Sequence, residues 1–253
     1  MAKRIHVITP VTMMEARTGK AFAEFERDGI VITCESIEVG PASIESEFDE
    51  VMCAPDTLAR AVRAEQDGAD AIVIDCLGDP AVKPARELLS IPVIGPGETS
   101  MHWAAMLGGP FGIVTVLDSV IPMIENHARI HGLGEKLKSV RVVNIPVLEL
   151  EKDMGRVTKE LAAEAVKAVR QDKVRGIVLG CTGMMGCAEA VEAALLQETG
   201  VYVPVIDPVP AAIEQAIAFV NRGLSNSKLT YANPPAKELT GMDFPRTSAE
   251  AAE

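Results

Sequence analysis

Two of the five cysteines stand where a sheet would present them to a ligand. Cys76 closes the apolar string Ala71-Ile72-Val73-Ile74-Asp75, and Cys181 closes Gly176-Ile177-Val178-Leu179-Gly180, an offset of 105 (181 − 76). In open α/β sheets, ligands bind beyond the carboxyl ends of the strands. Each cysteine runs into a glycine-containing turn, Leu77-Gly78-Asp79-Pro80 after the first and Thr182-Gly183-Met184-Met185-Gly186 after the second. Glycine lets the backbone turn tightly and offer free N–H groups to an anion. With a helix N-terminus following each turn, the setting is expected to lower a thiol from ~8.5 into the ~3.5–7.5 range. Two such thiols facing each other across a cleft would stand on opposite faces of one carbon. One takes a proton, the other returns one to the opposite face, and a stereocentre inverts. General acid/base chemistry of this kind contributes ~10²–10⁴-fold, and the turn N–H groups would hold the oxygen of the developing enolate.

The elements needed to position these thiols repeat along the chain. In the first half, Ile5–Thr9 reads as a strand, Met13–Arg27 as a helix, Ile30–Cys34 as a strand, Pro55–Gln66 as a helix and Ala71–Asp75 as a strand. Gly40-Pro41 marks a loop within 39–49. In the second half, strands at Phe111–Val116, Val140–Val143 and Gly176–Leu179 alternate with helices around Pro122–His131 and Val157–Gln171. Downstream, Ile91-Pro92-Val93-Ile94 is echoed by Val203-Pro204-Val205-Ile206. We read an internal duplication, giving an α/β fold of two similar lobes, each a parallel sheet flanked by helices, with the site in the cleft between them. The expected lobes are 1–98 and 99–207. A helix over 208–223 returns to the first lobe, and 224–253 forms an extended tail.

Composition narrows the partners. Hydrophobic residues make up 48% of the 253 residues, enough for a packed core, while aromatics at 4% leave Ala, Val, Ile and Gly to build it, which suits parallel strands under Ala-rich helices. The net charge of −12 repels phosphate backbones and anionic membranes. No apolar run approaches the ~20 residues of a membrane span, and the apolar stretch after Met1-Ala2-Lys3-Arg4 is too short for a secretory leader. The partner expected is a small molecule, with neither nucleic acid nor membrane. An odd number of cysteines without Cys-x-x-Cys spacing implies a reduced, cytoplasmic protein and gives little support to zinc.

The residues resemble a known family. Cys76-Leu77-Gly78-Asp79-Pro80 is similar to the first-cysteine motif of hydantoin and allantoin racemases, members of the aspartate/glutamate racemase superfamily. Gly40-Pro41-Ala42-Ser43-Ile44-Glu45 is similar to their substrate-pocket loop, and Gly180-Cys181-Thr182-Gly183-Met184 to their second-cysteine motif. The resemblance runs from about residue 4 to about residue 240. It implies racemisation at C5 of a 5-substituted hydantoin or allantoin, without metal or pyridoxal phosphate, by a homo-oligomeric enzyme with Cys76 and Cys181 as proton carriers. By the same matching, Thr9, Pro41, Ser43, Gly78, Asp79, Thr115, Thr182 and Gly183 bind substrate. The family's opening Asn-Pro-Asn-Thr stands here as Thr9-Pro10-Val11-Thr12, so two amides are replaced and substrate recognition should differ.

Other residues read as scaffold. Cys34, Cys53 and Cys187 are expected in the core, Met13-Met14 and Met184-Met185 in pocket wall or core, and His102 on the surface or in a cap. Asp75 and Asp207, the carboxylates nearest the strand ends, either orient a thiol or serve as a buried acid and a loop cap. Two alternatives stay open: an isomerase or decarboxylase of the same superfamily acting on a small carboxylic acid, and a non-catalytic two-lobed binding protein.

Overall fold

The computed structural model describes residues 2–12, 19–27, 29–235, 237–241 and 244–245. Four parallel strands, β1 (Lys3–Thr9), β2 (Ile30–Ser36), β3 (Ala71–Ile74) and β4 (Val93–Ile94), form one sheet in the order β2-β1-β3-β4. Four more, β5 (Phe111–Thr115), β6 (Leu137–Val142), β7 (Gly176–Leu179) and β8 (Val205–Ile206), form a second in the order β6-β5-β7-β8. The duplication is thus a repeat of topology: both sheets place the cysteine-bearing strand third. All four residues of β3 and all four of β7 are buried, which is why both read as unbroken apolar runs.

Seven helices cover the sheets among the described residues: α1 (Glu47–Gln66), α2 (Val82–Leu88), α3 (Pro96–Gly108), α4 (Ile121–Ile130), α5 (Met154–Gln171), α6 (Ala188–Thr199) and α7 (Pro208–Arg222). The first sheet carries apolar clusters on both faces, one with α1 and α2 and one with α7. Two helices are exchanged between the lobes. Helix α3 follows β4 but buries Met101 and Ala104 in the core of the second sheet. Helix α7 follows β8 but buries Val209, Ala212, Ile213 and Ala216 against the first. The exchanged helices also pack on each other.

Two expectations need correction. The helix read over Met13–Arg27 is, in its described part, a 3-10 helix at Gly19–Phe25 with Phe22 and Phe25 buried; 13–18, including Met13-Met14, lie outside the described residues. The helix expected to begin at Pro55 begins at Glu47 and runs through Pro55. Ser46 is its N-cap and accepts from the Asp49 backbone N–H at 3.3 Å, while the Asp49 carboxylate accepts from the Ser46 hydroxyl at 2.7 Å and the Glu45 N–H at 3.0 Å. This reciprocal cap, with three acidic residues in the first turn, starts the helix early enough to carry Pro55 inside it.

After Gly223 the described chain is irregular and lies on the first lobe. The Asn226 side-chain oxygen accepts from the Val93 N–H of edge strand β4 at 2.9 Å, and Lys228 Nζ donates to the carbonyls of Arg86 and Glu87 at the end of α2. No described helix is long and apolar enough to cross a membrane.

Candidate active site

Cys76 and Cys181 line one small cavity of about 60 Å³, with Gly78, Thr115 and Thr182 beside them. Each follows the third strand of its sheet, and the two sheets face each other with these ends together. The Gly180 N–H pairs with the Val114 carbonyl at 2.7 Å, and the Thr115 hydroxyl donates to the Gly180 carbonyl at 2.8 Å, fixing the backbone just before Cys181. A β-carbon on Gly180 would lie 2.4 Å from that of Thr115, so only glycine permits the approach. On the first lobe, the Thr9 hydroxyl donates to the Asp75 carboxylate at 3.3 Å. The lobes are stitched at the same level: the Thr182 hydroxyl donates to the Asp75 carbonyl at 3.3 Å. At the mouth, the Ser119 hydroxyl donates to the Glu45 carbonyl at 2.9 Å, and the Glu45 carboxylate accepts from the Val147 N–H at 2.7 Å.

The remaining residues expected to bind substrate do not line this cavity. Thr9 is buried with its hydroxyl on Asp75. The Pro41 carbonyl accepts from the Thr12 N–H at 3.0 Å and joins two loops, and Ser43 precedes the lining residue Ile44. Gly183 lies against the thiol, where a β-carbon would stand 3.5 Å from the Cys181 sulfur. Asp79 is the clearest departure. Its carboxylate turns away and accepts from the Gly97 and Glu98 N–H groups at 2.8 and 2.7 Å, capping α3, and from His127 Nε2 at 3.0 Å. Gly95 makes room for it, since a β-carbon there would be 2.2 Å from the carboxylate. In the second lobe, Asp207 is itself the N-cap of α7 and reaches the turn after Cys181, accepting from the Gly186 N–H at 2.7 Å.

The expected lowering of the Cys76 pKa is not what the structure gives. Burial pushes this thiol well above its usual value, and the charges of Glu50 and Cys181 push the same way. The Gly78 N–H does stabilise the thiolate, as the turn suggested, but burial outweighs it. Neither turn runs straight into an α-helix as the sequence suggested, since α2 starts only at Val82 and α6 at Ala188. Cys53 and Cys187 are buried, and Met184 lies in the core.

The cavity also holds two ionisable side chains that the sequence does not single out, Glu50 and His127. Burial raises Glu50 to about 7, with Asp79 and Glu47 adding to the rise and His127 opposing it. Burial works against a charged His127, yet the Asp79 hydrogen bond and the charges of Asp79, Glu50 and Glu98 prevail and raise its pKa. The signal that would have found Glu50 is the Ser46-x-x-Asp49 cap, which puts position 50 on the first turn of a helix. Among the described residues, two groups have the donors to hold a metal: Asp79, His127 and His131, and Glu98, His102 and His131, each with donor atoms within 4.8 Å of one another. Their carboxylates are already engaged, Asp79 by the α3 backbone and Glu98 by Arg86 at 2.6 Å.

The chain is similar to known proteins over nearly its whole length. The profile of the Asp/Glu/Hydantoin racemase family matches residues 5–216. A hydantoin racemase from a Pseudomonas species is 36% identical over 241 residues, covering 94% of each chain. Among solved structures, the allantoin racemase from Klebsiella pneumoniae superposes with a TM-score of 0.87 at 33% identity, over 95% of this chain and 97% of that one. The allantoin racemase from Pseudomonas fluorescens gives 0.84 at 34% identity, over 94% and 100%. The chain therefore belongs to the Asp/Glu/hydantoin racemase family and is a racemase.

Proposed function

We propose that this racemase inverts C5 of a 5-substituted hydantoin or of allantoin by direct proton transfer between two thiols. The observation that carries the reading is that Cys76 and Cys181 line one cavity from equivalent turns of two lobes. In each turnover one thiolate removes the proton from C5, and the C–H electron pair moves into the neighbouring carbonyl to give an enolate. The opposite thiol then protonates C5 from the other face. The first sulfur ends as thiol and the second as thiolate, so the enzyme is set for the mirror-image substrate. The high Cys76 pKa fits a proton carrier that works against a weak carbon acid: a basic thiolate has the greater driving force for abstraction. No lysine or arginine is among the described residues lining the cavity, which suits an uncharged ring better than an amino-acid carboxylate.

The test is incubation in D2O of each enantiomer of several 5-substituted hydantoins and of allantoin, following optical rotation and deuterium at C5 against the uncatalysed background. Wild type should racemise at least one with deuterium uptake, and Cys76→Ala and Cys181→Ala should each abolish racemisation. Either single variant racemising at the wild-type rate would remove the two-thiol mechanism. A wild type that exchanges none of these compounds would remove the substrate class.

A further inference from the structure

We infer that Glu50 is a further substrate-contacting residue, whose carboxyl group hydrogen-bonds an amide edge (an N–H beside a C=O) of the bound ring and so selects a neutral cyclic substrate. The inference rests on the hydantoin-type reading above and goes further, because it names the group that recognises the ring.

Glu50 reaches the cavity from the first turn of α1, opposite the Cys76 turn. Glu50, Gly78 and His127 also line an adjoining space of about 370 Å³, so this carboxyl stands at the junction of the two. Its Oε1 atom is buried and has no hydrogen-bond partner among the described residues. A buried polar atom left unpaired is costly, so in native proteins it calls for a partner such as a bound ligand or water. Gly78 is the neighbour that admits it: a β-carbon there would stand 2.0 Å from Oε1. The glycine of the first-cysteine motif thus serves the carboxyl as well as the turn.

The surroundings decide what this carboxyl can bind. The charged and titratable groups that act on it or feel it are His127 from α4, Asp79 and Cys76 from the turn after β3, and Glu47 and Cys53 on its own helix. Burial holds its pKa near 7, so the protonated form is well populated at neutral pH. A protonated carboxyl presents an O–H donor and a C=O acceptor side by side. That pair is the complement of a cis-amide, which offers N–H and C=O side by side and occurs in every hydantoin. A substrate carboxylate would meet a second acid there, while the neighbouring His127 is already paired with Asp79. Glu50 lies in a different part of the chain from Thr9-Pro10-Val11-Thr12, and it supplies polar recognition from the first turn of α1.

The test uses unsubstituted hydantoin, which has no stereocentre to invert and reports binding alone. Its Kd is measured by calorimetry for wild type, Glu50→Gln and Glu50→Ala between about pH 6 and about pH 9, with melting temperatures to confirm folding. Glutamine keeps a donor and an acceptor side by side, so Glu50→Gln should bind within about threefold of wild type at low pH and show no pH dependence. Wild type should weaken above about pH 7 as Glu50 ionises. Glu50→Ala should bind about tenfold more weakly, the result of losing hydrogen bonds inside a buried site. Racemisation of the active substrate is measured beside it, and in Glu50→Ala the loss should fall on KM more than on kcat. If Glu50→Ala binds within twofold of wild type, or Glu50→Gln keeps the wild-type pH profile, the inference is overturned while the racemase reading stands. If Glu50→Ala fails to fold, the Glu50→Gln profile decides alone. A wild type that neither binds hydantoin nor racemises its derivatives overturns both.

Discussion

Replacing Asp79 by alanine removes one carboxylate that serves three donors. The side chain is 3% exposed, and it accepts from the Gly97 N–H, the Glu98 N–H and His127 Nε2 at 2.8, 2.7 and 3.0 Å. Losing the cap on α3 costs about 1–2 kcal/mol. Leaving a buried partner of an ion pair alone costs about 3–5 kcal/mol. Asp79 also has φ of 52°, where alanine is less well accommodated than aspartate or asparagine. These effects overlap, so about 4 kcal/mol is expected in total, or about 8–16 °C in melting temperature at roughly 2–4 °C per kcal/mol for a chain of this length. The loss should depend on pH. His127 has its folded pKa raised above 6.5, so its contribution is complete below that value and disappears as pH rises through the folded pKa. Thermal melts at about pH 5.5 and about pH 8.5 should therefore show the larger loss at the lower pH. Asp79→Asn keeps an acceptor for the helix and tolerates the backbone angle, and should lose about half as much. If Asp79→Ala melts within about 2 °C of wild type at both pH values, the carboxylate does not hold α3 and the reasoning fails.

Three further outcomes are expected. Gly180→Ala should destabilise by about 1–3 kcal/mol in denaturant titration and lower kcat, because its β-carbon meets Thr115 and the Val114 carbonyl; an unchanged midpoint would show that the strand end gives way freely. Burial would raise Glu98, but His131 and Arg86 bring it down to about 2, so its stabilisation of about 3 kcal/mol is present above 4.5 and lost as pH falls through about 2. Glu98→Gln should consequently cost less at about pH 3 than at neutral pH in urea titrations, and an equal cost at both would contradict the pairing. Cys76 should react with iodoacetamide more slowly than the same residue in unfolded chain at about pH 8, as mapped by mass spectrometry, and faster in Glu50→Gln once the neighbouring charge is gone. Rapid labelling of Cys76 in wild type would show that burial does not hold the thiol protonated.

The parts legible in the sequence were those carried by local runs and by repetition. β3 and β7 announce themselves because every residue is buried, and the repeat of strand order made it evident that Cys76 and Cys181 occupy like positions. The two-lobed α/β fold followed from the same alternation. What escaped depended on partners distant in the chain. Asp79 reads as a ligand for substrate from its place in a cysteine motif, and the capping role of its carboxylate is invisible there because its donors come from 18, 19 and 48 residues further on. Glu50 is hidden because Pro55 reads as a helix start, while the cap at Ser46 together with the buried face of α1, Cys53, Thr57, Ala61 and Val62 among it, carries the helix across the proline. The direction of the Cys76 shift was equally out of reach, since a turn's N–H groups can be read locally but the burial of its sulfur in the cleft cannot.

The exchange of α3 and α7 bears on how the cleft can open. The chain passes between lobes at 94–96 and again at 206–208, just where α3 and α7 begin. Each junction is clasped by a carboxylate tied to a cysteine turn: Asp79 on the N–H groups of α3, and Asp207 on Gly186. A swing of one lobe against the other would pull on both turns together. Breaking the latch formed by Glu45, Ser119 and Val147 at the mouth would therefore also loosen the alignment of the sulfurs. On the proposed two-thiol reading, admission of substrate and alignment of the sulfurs would then be coupled through the same two junctions.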